Sequence, residues 1–404
     1  LMSWMPSSSL SRSFTYIITI VLLLYITPCV SSMSAASKQA LKIRVATYNV
    51  LSSTLAGSTH FTSCDPSNLE FGKRLPRVIS KIEDETKLGA IICLQEVSHQ
   101  FAGPLHTFFA KNNYQFVSGF YGSKFSNYMG VGLALPMDTF EVVDIDLATL
   151  SDVRAGGWPT APPEEESIGL VVRRVYSAVT KPVRWVAGRI TSVVGGLFAN
   201  DNEPYMLKLL KGSESGNTDH WEMSKRRKNM LVFARLKDKQ SGKQFCVSTY
   251  HMPCAFFAPM VMNIHVEMAA KRTQDLANGD ACILAGDFNL KPDSPEYALI
   301  TTGALDKDDP TYPTSKYGFD WTIEATPMKS AYALSAGGEP DFTNYSKVRD
   351  DDPFIDTLDY IFISDEWRVD SVKKLPLRSE VNGPLPTENE PSDHILIAAE
   401  LSLD

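Results

Sequence analysis

Six apolar stretches of this 404-residue chain carry, at or just past one end, a side chain able to hold a metal ion or move a proton. Asn49 follows Ile43 to Tyr48, Glu96 follows Ala90 to Gln95, and His251 follows Gln244 to Tyr250. Asp287 and Asn289 follow Ala281 to Gly286, Asp359 opens the run to Ile363, and Asp393 with His394 precedes Ile395 to Leu401. Carboxylate and amide oxygens suit hard divalent cations, and imidazoles beside carboxylates suit proton transfer. A single Asp or His after a strand is usually a turn former or a satisfied polar group. Six such placements point instead to one shared centre, because strands packed in one sandwich bring such ends to a common rim.

The elements that would position these residues are legible from periodicity. Residues 43–51 alternate apolar and polar side chains as a half-buried strand does, and 90–97, 130–135, 228–236, 244–251, 281–287, 357–363 and 394–401 read as further strands. The spacing of Leu75, Val78, Ile79 and Ile82 predicts a helix over 73–88, stopped by Gly89. Further helices are expected over 101–112 and 259–276. No internal repeat of fixed period is present. The pattern breaks between about 152 and 224, where Gly156-Gly157-Trp158-Pro159 and Pro162-Pro163-Glu164-Glu165-Glu166 read as exposed loop. One α/β domain over 41–404 with an insertion at about 152–224 is the expected organisation.

A hydrophobic content of 44% with 21% charged residues is that of a globular protein with a sizeable core. The net charge of −8 argues against gripping nucleic acid by overall basicity. It leaves room for a metal-centred phosphate site, where the ion dominates its local field. Cys93, Cys246 and Cys282 sit inside apolar runs and read as buried thiols, whereas Cys64 and Cys254 lie in loop-like sequence where a pair is conceivable. No two cysteines have zinc-ligand spacing.

Residues 1–37 have Arg12 as their one charge, an unbroken apolar core from Ile17, and a small-residue exit at Val30-Ser31-Ser32. That is the pattern of a secretory signal peptide, with a signal anchor or organellar transit peptide as the other readings. The corresponding location is the secretory pathway or outside the cell, otherwise an organelle or a membrane.

The motifs Thr47-Tyr48-Asn49-Val50-Leu51, Cys93-Leu94-Gln95-Glu96-Val97, Gly286-Asp287-Phe288-Asn289, Leu358-Asp359-Tyr360-Ile361 and Pro391-Ser392-Asp393-His394 resemble those of the endonuclease/exonuclease/phosphatase superfamily. The likeness covers nearly all the chain after Leu41. Pro292-Asp293-Ser294-Pro295-Glu296-Tyr297, Phe342-Thr343-Asn344-Tyr345 and Leu385-Pro386-Thr387-Glu388-Asn389 are similar to the branch holding the mRNA deadenylases, nocturnin and the 2′,5′-phosphodiesterase.

This resemblance implies a four-layered α-β-β-α sandwich, with two central mixed sheets flanked by helices. It also implies Mg²⁺-dependent phosphodiester hydrolysis, Mn²⁺ being able to substitute, in a 3′–5′ exoribonuclease or a nucleotide phosphatase that acts as a monomer on RNA or nucleotides. Glu96 would be the principal metal ligand, with Asn49 and Asp393 nearby. Asp287 would activate water, Asn289 would hold a phosphate oxygen, and His251 and His394 would meet the phosphate. Asp359 would pair with His394, while Asn229 and Asn344 fall at substrate-contacting positions.

After His251 the sequence Met252-Pro253-Cys254-Ala255-Phe256-Phe257 lacks the aromatic-plus-acidic segment of deadenylases, so poly(A) specificity does not follow. Two other functions compete. A lipid phosphodiesterase resembling neutral sphingomyelinases would use the signal peptide and the basic apolar stretch 168–200 (Arg173, Arg174, Lys181, Arg184, Arg189) for membrane contact. A catalytically inactive binding module would be expected to lack the metal ligand or Asp287. Lys225-Arg226-Arg227-Lys228 reads either as a polyanion contact or as a solvated loop. Asn344-Tyr345-Ser346 is a glycosylation sequon that a site-lining position should keep unmodified.

Overall fold

The computed structural model describes residues 40–122, 129–162, 219–349 and 351–404. The expected leader at 1–37 and most of the insertion, including 168–200, lie outside the described residues.

The chain lays down β1 (Leu41–Asn49), β2 (Ile91–Val97), β3 (Tyr114–Phe120), β4 (Gly130–Pro136) and β5 (Phe140–Thr149). It continues through β6 (Met230–Asp238), β7 (Gln244–His251), β8 (Cys282–Asp287), β9 (Lys329–Ser330), β10 (Asn344–Ser346) and β11 (Phe354–Asp356). It ends with β12 (Asp359–Ile363), β13 (Trp367–Val372) and β14 (Ile397–Leu403). One six-stranded sheet has the order β13-β14-β1-β2-β4-β3, the other β5-β6-β7-β8-β12-β9, and β10 and β11 form a separate hairpin.

Both faces of each sheet are covered, which explains why the central strands read as nearly unbroken apolar runs. In β1 and β2, Val45, Ile91 and Cys93 point between the sheets, where they meet Val247, Ile283 and Ile361. Their neighbours Ala46, Tyr48, Ile92 and Leu94 point outward against Val78 and Ile82 of helix Phe71–Lys87 and Phe101 of helix His99–Lys111. On the far side, Cys246, Leu284 and Phe362 pack under Met262, Val266 and Ala269 of helix Pro259–Ala277. The result is the expected four-layered α-β-β-α sandwich.

Each sheet contains one parallel pair, β1 with β2 and β7 with β8. Helix Phe71–Lys87 lies in the first crossover and Pro259–Ala277 in the second. A parallel pair points both C-terminal ends the same way, so each crossover delivers two strand ends to one rim. Gly286 serves that geometry, because a Cβ there would collide with the Tyr250 carbonyl oxygen on the neighbouring parallel strand.

Several expectations need adjusting. The last strand starts at Ile397, so His394 precedes it in a bridge to Asn344. β5 and β13 carry exposed polar residues that break up an apolar run, and β3 is interrupted by Gln115, Ser118 and Gly119. The described margins of the insertion are ordered: helix His220–Arg226 buries Trp221, and the Arg154 guanidinium lies 5.2 Å from the Trp158 ring and 5.6 Å from the Trp221 ring. Cys64 and Cys254 are both free, with the Cys64 sulfur 3.4 Å from the Leu385 carbonyl oxygen. Cys93, Cys246 and Cys282 are buried thiols, as expected.

At the far end of helix Phe71–Lys87, Glu85 is a buried carboxylate. Arg44 donates to it at 2.6 and 3.2 Å and Lys373 at 3.0 Å. Burial alone would raise its pKa, but these donors outweigh burial and hold it below the usual carboxylate range. Breaking a buried pair costs about 3–5 kcal/mol, so Glu85→Gln should lower unfolding free energy by about 3 kcal/mol in urea titrations. The depressed folded-state pKa places this stabilisation above the unfolded value of about 4.3. It should fade as pH falls through the lower, folded value, and the variant should lack that part of the acid dependence.

Candidate active site

The rim begins as a row on one sheet. β7 ends on His251, β8 ends on Asp287 and β12 begins on Asp359, and the register pairs His251 with Asp287 and Asp287 with Asp359. The other sheet supplies Asn49 from the end of β1 and Glu96 from β2. Polar ties span the sheets here. The Asn49 amide nitrogen donates to Asp287 Oδ2 at 2.9 Å, and Gln95 Nε2 donates to Thr249 Oγ1 at 3.0 Å.

Glu96 adopts φ 58° where the β2–β4 register shifts between Leu94 and Val97. A non-glycine residue in the left-handed region costs about 1–3 kcal/mol. Burial of the flanking Leu94 and Val97, at about 1.5–3 kcal/mol each, outweighs that cost. The Glu96 carboxylate accepts from the Ser52 amide at 2.8 Å and from Asn49 Nδ2 at 3.2 Å.

The segment before β14 closes the ring. Ser392 Oγ donates to the Asn49 carbonyl at 2.7 Å and accepts from the His394 amide at 3.2 Å. His394 Nδ1 lies 2.7 Å from Asp359 Oδ2, which also accepts the Thr343 hydroxyl at 2.7 Å. The Thr343 oxygen in turn accepts the amides of Leu358 and Asp359. His251 Nδ1 lies 2.6 Å from the Tyr121 hydroxyl. Burial pushes that phenol well above its ordinary pKa, so it stays protonated and able to donate to Nδ1, and in that tautomer Nε2 is the ring's N–H. Nε2 faces Asp287 Oδ2 at 3.4 Å, while His394 Nε2 stands 3.7 Å from the same oxygen.

The charges sort into two parts. Burial disfavours a charged His394, but the Asp359 and Asp287 carboxylates outweigh it and hold the imidazole well above its ordinary pKa. Burial pushes the Asp287 carboxyl up, with the two imidazoles opposing. Burial also pushes Asp393 up, and the charge of Glu96 adds to the shift. Glu96 and Asp393 are half-buried, whereas Asn49, His251, Asp287, Asn289, Asp359 and His394 are buried. Two mutually repelling carboxylates with access to solvent suit a divalent cation. Asp287, Asp359 and His394 also bring ligand atoms within 4.8 Å of one another. There, however, His394 Nδ1 already meets a carboxylate as an ion pair, and a cation would have to displace its proton.

The residues named as catalytic, metal-holding or substrate-contacting positions lie on this rim, with some side chains turned in unexpected directions. The Asn49 Oδ1 accepts from the Leu51 amide while its nitrogen faces Glu96 and Asp287. Asn289 Nδ2 donates to the Met252 carbonyl and its backbone amide to Asp287 Oδ1. Asn229 Nδ2 donates to the His251 carbonyl at 2.8 Å. Asn344, 3% exposed, donates to Asp393 Oδ2 at 3.4 Å. Tyr121 and Thr343 are additions. Tyr121 follows a strand that the sequence disguised, and Thr343 appeared only as part of a motif with Asn344.

The family model described as the Endonuclease/Exonuclease/phosphatase family matches residues 46–394. The chain belongs to this family. Among curated relatives, mouse 2′,5′-phosphodiesterase 12 is 30% identical over 175 residues, 40% of this chain and 26% of that protein. Human nocturnin is 28% identical over 206 residues, 49% of this chain and 42% of that protein. The Emericella nidulans 3′–5′-exoribonuclease subunit Ccr4 of the CCR4-Not complex is 34% identical over 139 residues, 32% of this chain and 19% of that protein. The matched part thus spans less than half the length of these relatives. In solved structures, the fold is shared with ANGEL2, a 2′,3′-cyclic phosphatase, at TM-score 0.59 and 17% identity, covering 90% of this chain and 96% of that one. The human nocturnin catalytic domain follows at TM-score 0.53 and 18% identity, covering 91% and 98%. The description of the matching family model names endonucleases, exonucleases and phosphatases.

Tyr121→Phe removes the donor that fixes the His251 tautomer. It should lower kcat about tenfold, equivalent to about 1.4 kcal/mol, with little change in thermal melting. Steady-state kinetics beside a melting curve checks this. Because Asn344 is buried and hydrogen-bonded, protein expressed through a glycosylating secretory route should carry no glycan there by mass analysis, and full occupancy in active protein would contradict the geometry.

Proposed function

We propose that this chain is a Mg²⁺-dependent phosphodiesterase acting on RNA, as a 3′–5′ exoribonuclease, or on a small phosphorylated nucleotide, as its phosphatase. The observation that carries the proposal is the convergence on Asp287 Oδ2 of donors from three segments: Asn49 Nδ2 at 2.9 Å, His251 Nε2 at 3.4 Å and His394 Nε2 at 3.7 Å.

A phosphodiester resists attack because the nucleophile approaches an anion and the leaving oxygen departs with charge. Asp287, raised by burial, orients an attacking water and takes its proton. Asn49 keeps that carboxylate aimed. His394, held as imidazolium by Asp359, and His251, aligned by Tyr121, donate to the phosphoryl oxygens as charge builds on them. Either imidazole is placed to protonate the leaving oxygen. Glu96 and Asp393 are the residues that would hold Mg²⁺, with the Asn49 amide steadying Glu96. Once bound, the cation neutralises charge on the phosphate and the leaving oxygen.

The nucleic-acid reading is supported by the names of the exoribonuclease and 2′,5′-phosphodiesterase relatives. The lipid reading rested on 1–37 and 168–200, outside the described residues. An inactive module is disfavoured by the intact set of side chains on the rim.

Purified protein with Mg²⁺ should be incubated in parallel with poly(A), 2′,5′-oligoadenylate, NADP and sphingomyelin. Hydrolysis of one of the first three, abolished by EDTA and restored by Mg²⁺, is expected. Asp287→Ala should reduce it at least about 10³-fold, or about 4 kcal/mol, in folded protein. Turnover unchanged in that variant sinks the mechanism. Cleavage of sphingomyelin alone transfers the assignment to lipid.

A further inference from the structure

Arg74 has no part in the chemistry above, yet it is fully buried at the site end of helix Phe71–Lys87. A buried guanidinium ordinarily meets a carboxylate. Among the described residues no carboxylate stands at ion-pair distance from this one. Its bonds run instead to backbone carbonyls. Nη2 donates to Val50 at 2.6 Å and to Leu51 at 2.7 Å, and Nε donates to Pro391 at 2.7 Å. Its face rests on the Phe101 ring at 5.7 Å, and its Nη1 has no partner among the described residues.

The three carbonyls belong to the two segments that build the site. Val50 and Leu51 follow Asn49 directly, and the Leu51 amide holds the Asn49 side chain. Pro391 precedes Ser392, Asp393 and His394. The same helix ties these segments a second time further along, where Lys81 donates to Glu390 at 2.6 Å and Glu390 also accepts from Tyr48 at 2.8 Å. Lys81 and Glu390 retain some access to solvent, so that tie is screened more than the buried fork of Arg74. A lysine in place of Arg74 keeps the charge but not the planar fork.

We propose that Arg74 is a positioning residue, its planar fork locking the chain after Asn49 to the chain before Asp393 so that both halves of the proposed cation site keep one spacing. This rests on the phosphodiesterase reading for its kinetic consequence, but its structural consequence stands apart from any substrate. Glu85, at the other end of the same helix, supplies the control, since its replacement destabilises the protein without touching either segment.

The test compares Arg74→Met, Arg74→Lys and Glu85→Gln in the full chain by site-resolved amide hydrogen exchange and by kinetics on bis(p-nitrophenyl) phosphate with Mg²⁺. Both Arg74 variants should speed exchange at the Leu51 and His394 amides at least tenfold relative to Glu85→Gln. They should lower kcat at least tenfold with KM within threefold, while Glu85→Gln keeps the kcat of the parent. If Arg74→Met does not fold, Arg74→Lys decides the matter. Parent-like exchange and kcat in a folded Arg74 variant overturn the proposal, as does an equal kcat loss in Glu85→Gln. Should the parent protein hydrolyse no phosphodiester, the phosphodiesterase reading fails while the exchange arm still decides the role of Arg74.

Discussion

The hydrogen bond from Asn49 to Asp287 crosses from one sheet to the other, and the site depends on the alignment it enforces. An apolar interface such as the one between these sheets is non-directional and sets separation better than register. Polar ties have angles and lengths, so Asn49 to Asp287, with Gln95 to Thr249 beside it, fixes how the two rims face each other. A buried polar group left unpaired costs more than the same group paired gains, which makes a slipped alignment expensive.

Given that alignment, the two crossovers play matched but unequal roles. The first delivers Asn49, which is buried, and Glu96, which keeps access to solvent. The second delivers His251 and Asp287, the buried half, where low dielectric strengthens the pairing of His394 with Asp359. The first sheet therefore presents Glu96, while the second brings His251, Asp287 and Asp359 up to His394, which the segment before β14 carries in.

Much of this was legible in the chain. The apolar runs gave the central strands because both of their faces are covered, and the residues at their ends converged because parallel pairs share a direction. Less regular pieces escaped. The strand Tyr114–Phe120 reads half-polar, so Tyr121 at its end could not be assigned to the rim. The direction of the Asn49 and Asn289 amides was hidden because sequence names an amide without saying which atom points where. Arg74 was hidden more deeply. It looks like one of several basic residues on an amphipathic helix, and only the path of Val50, Leu51 and Pro391 around it reveals that it is buried.

The seam between the sheets also has a consequence for how such a protein wears out. Asn49, Glu96, Asp393 and His394 come in on the side of one sheet and His251, Asp287 and Asp359 on that of the other, joined at the rim by a few short polar bonds. A small shear between the layers would misalign the reacting groups while leaving every strand and helix intact. Inactivation on heating or in mild denaturant should thus precede loss of secondary structure, because the working geometry is softer than the architecture that carries it.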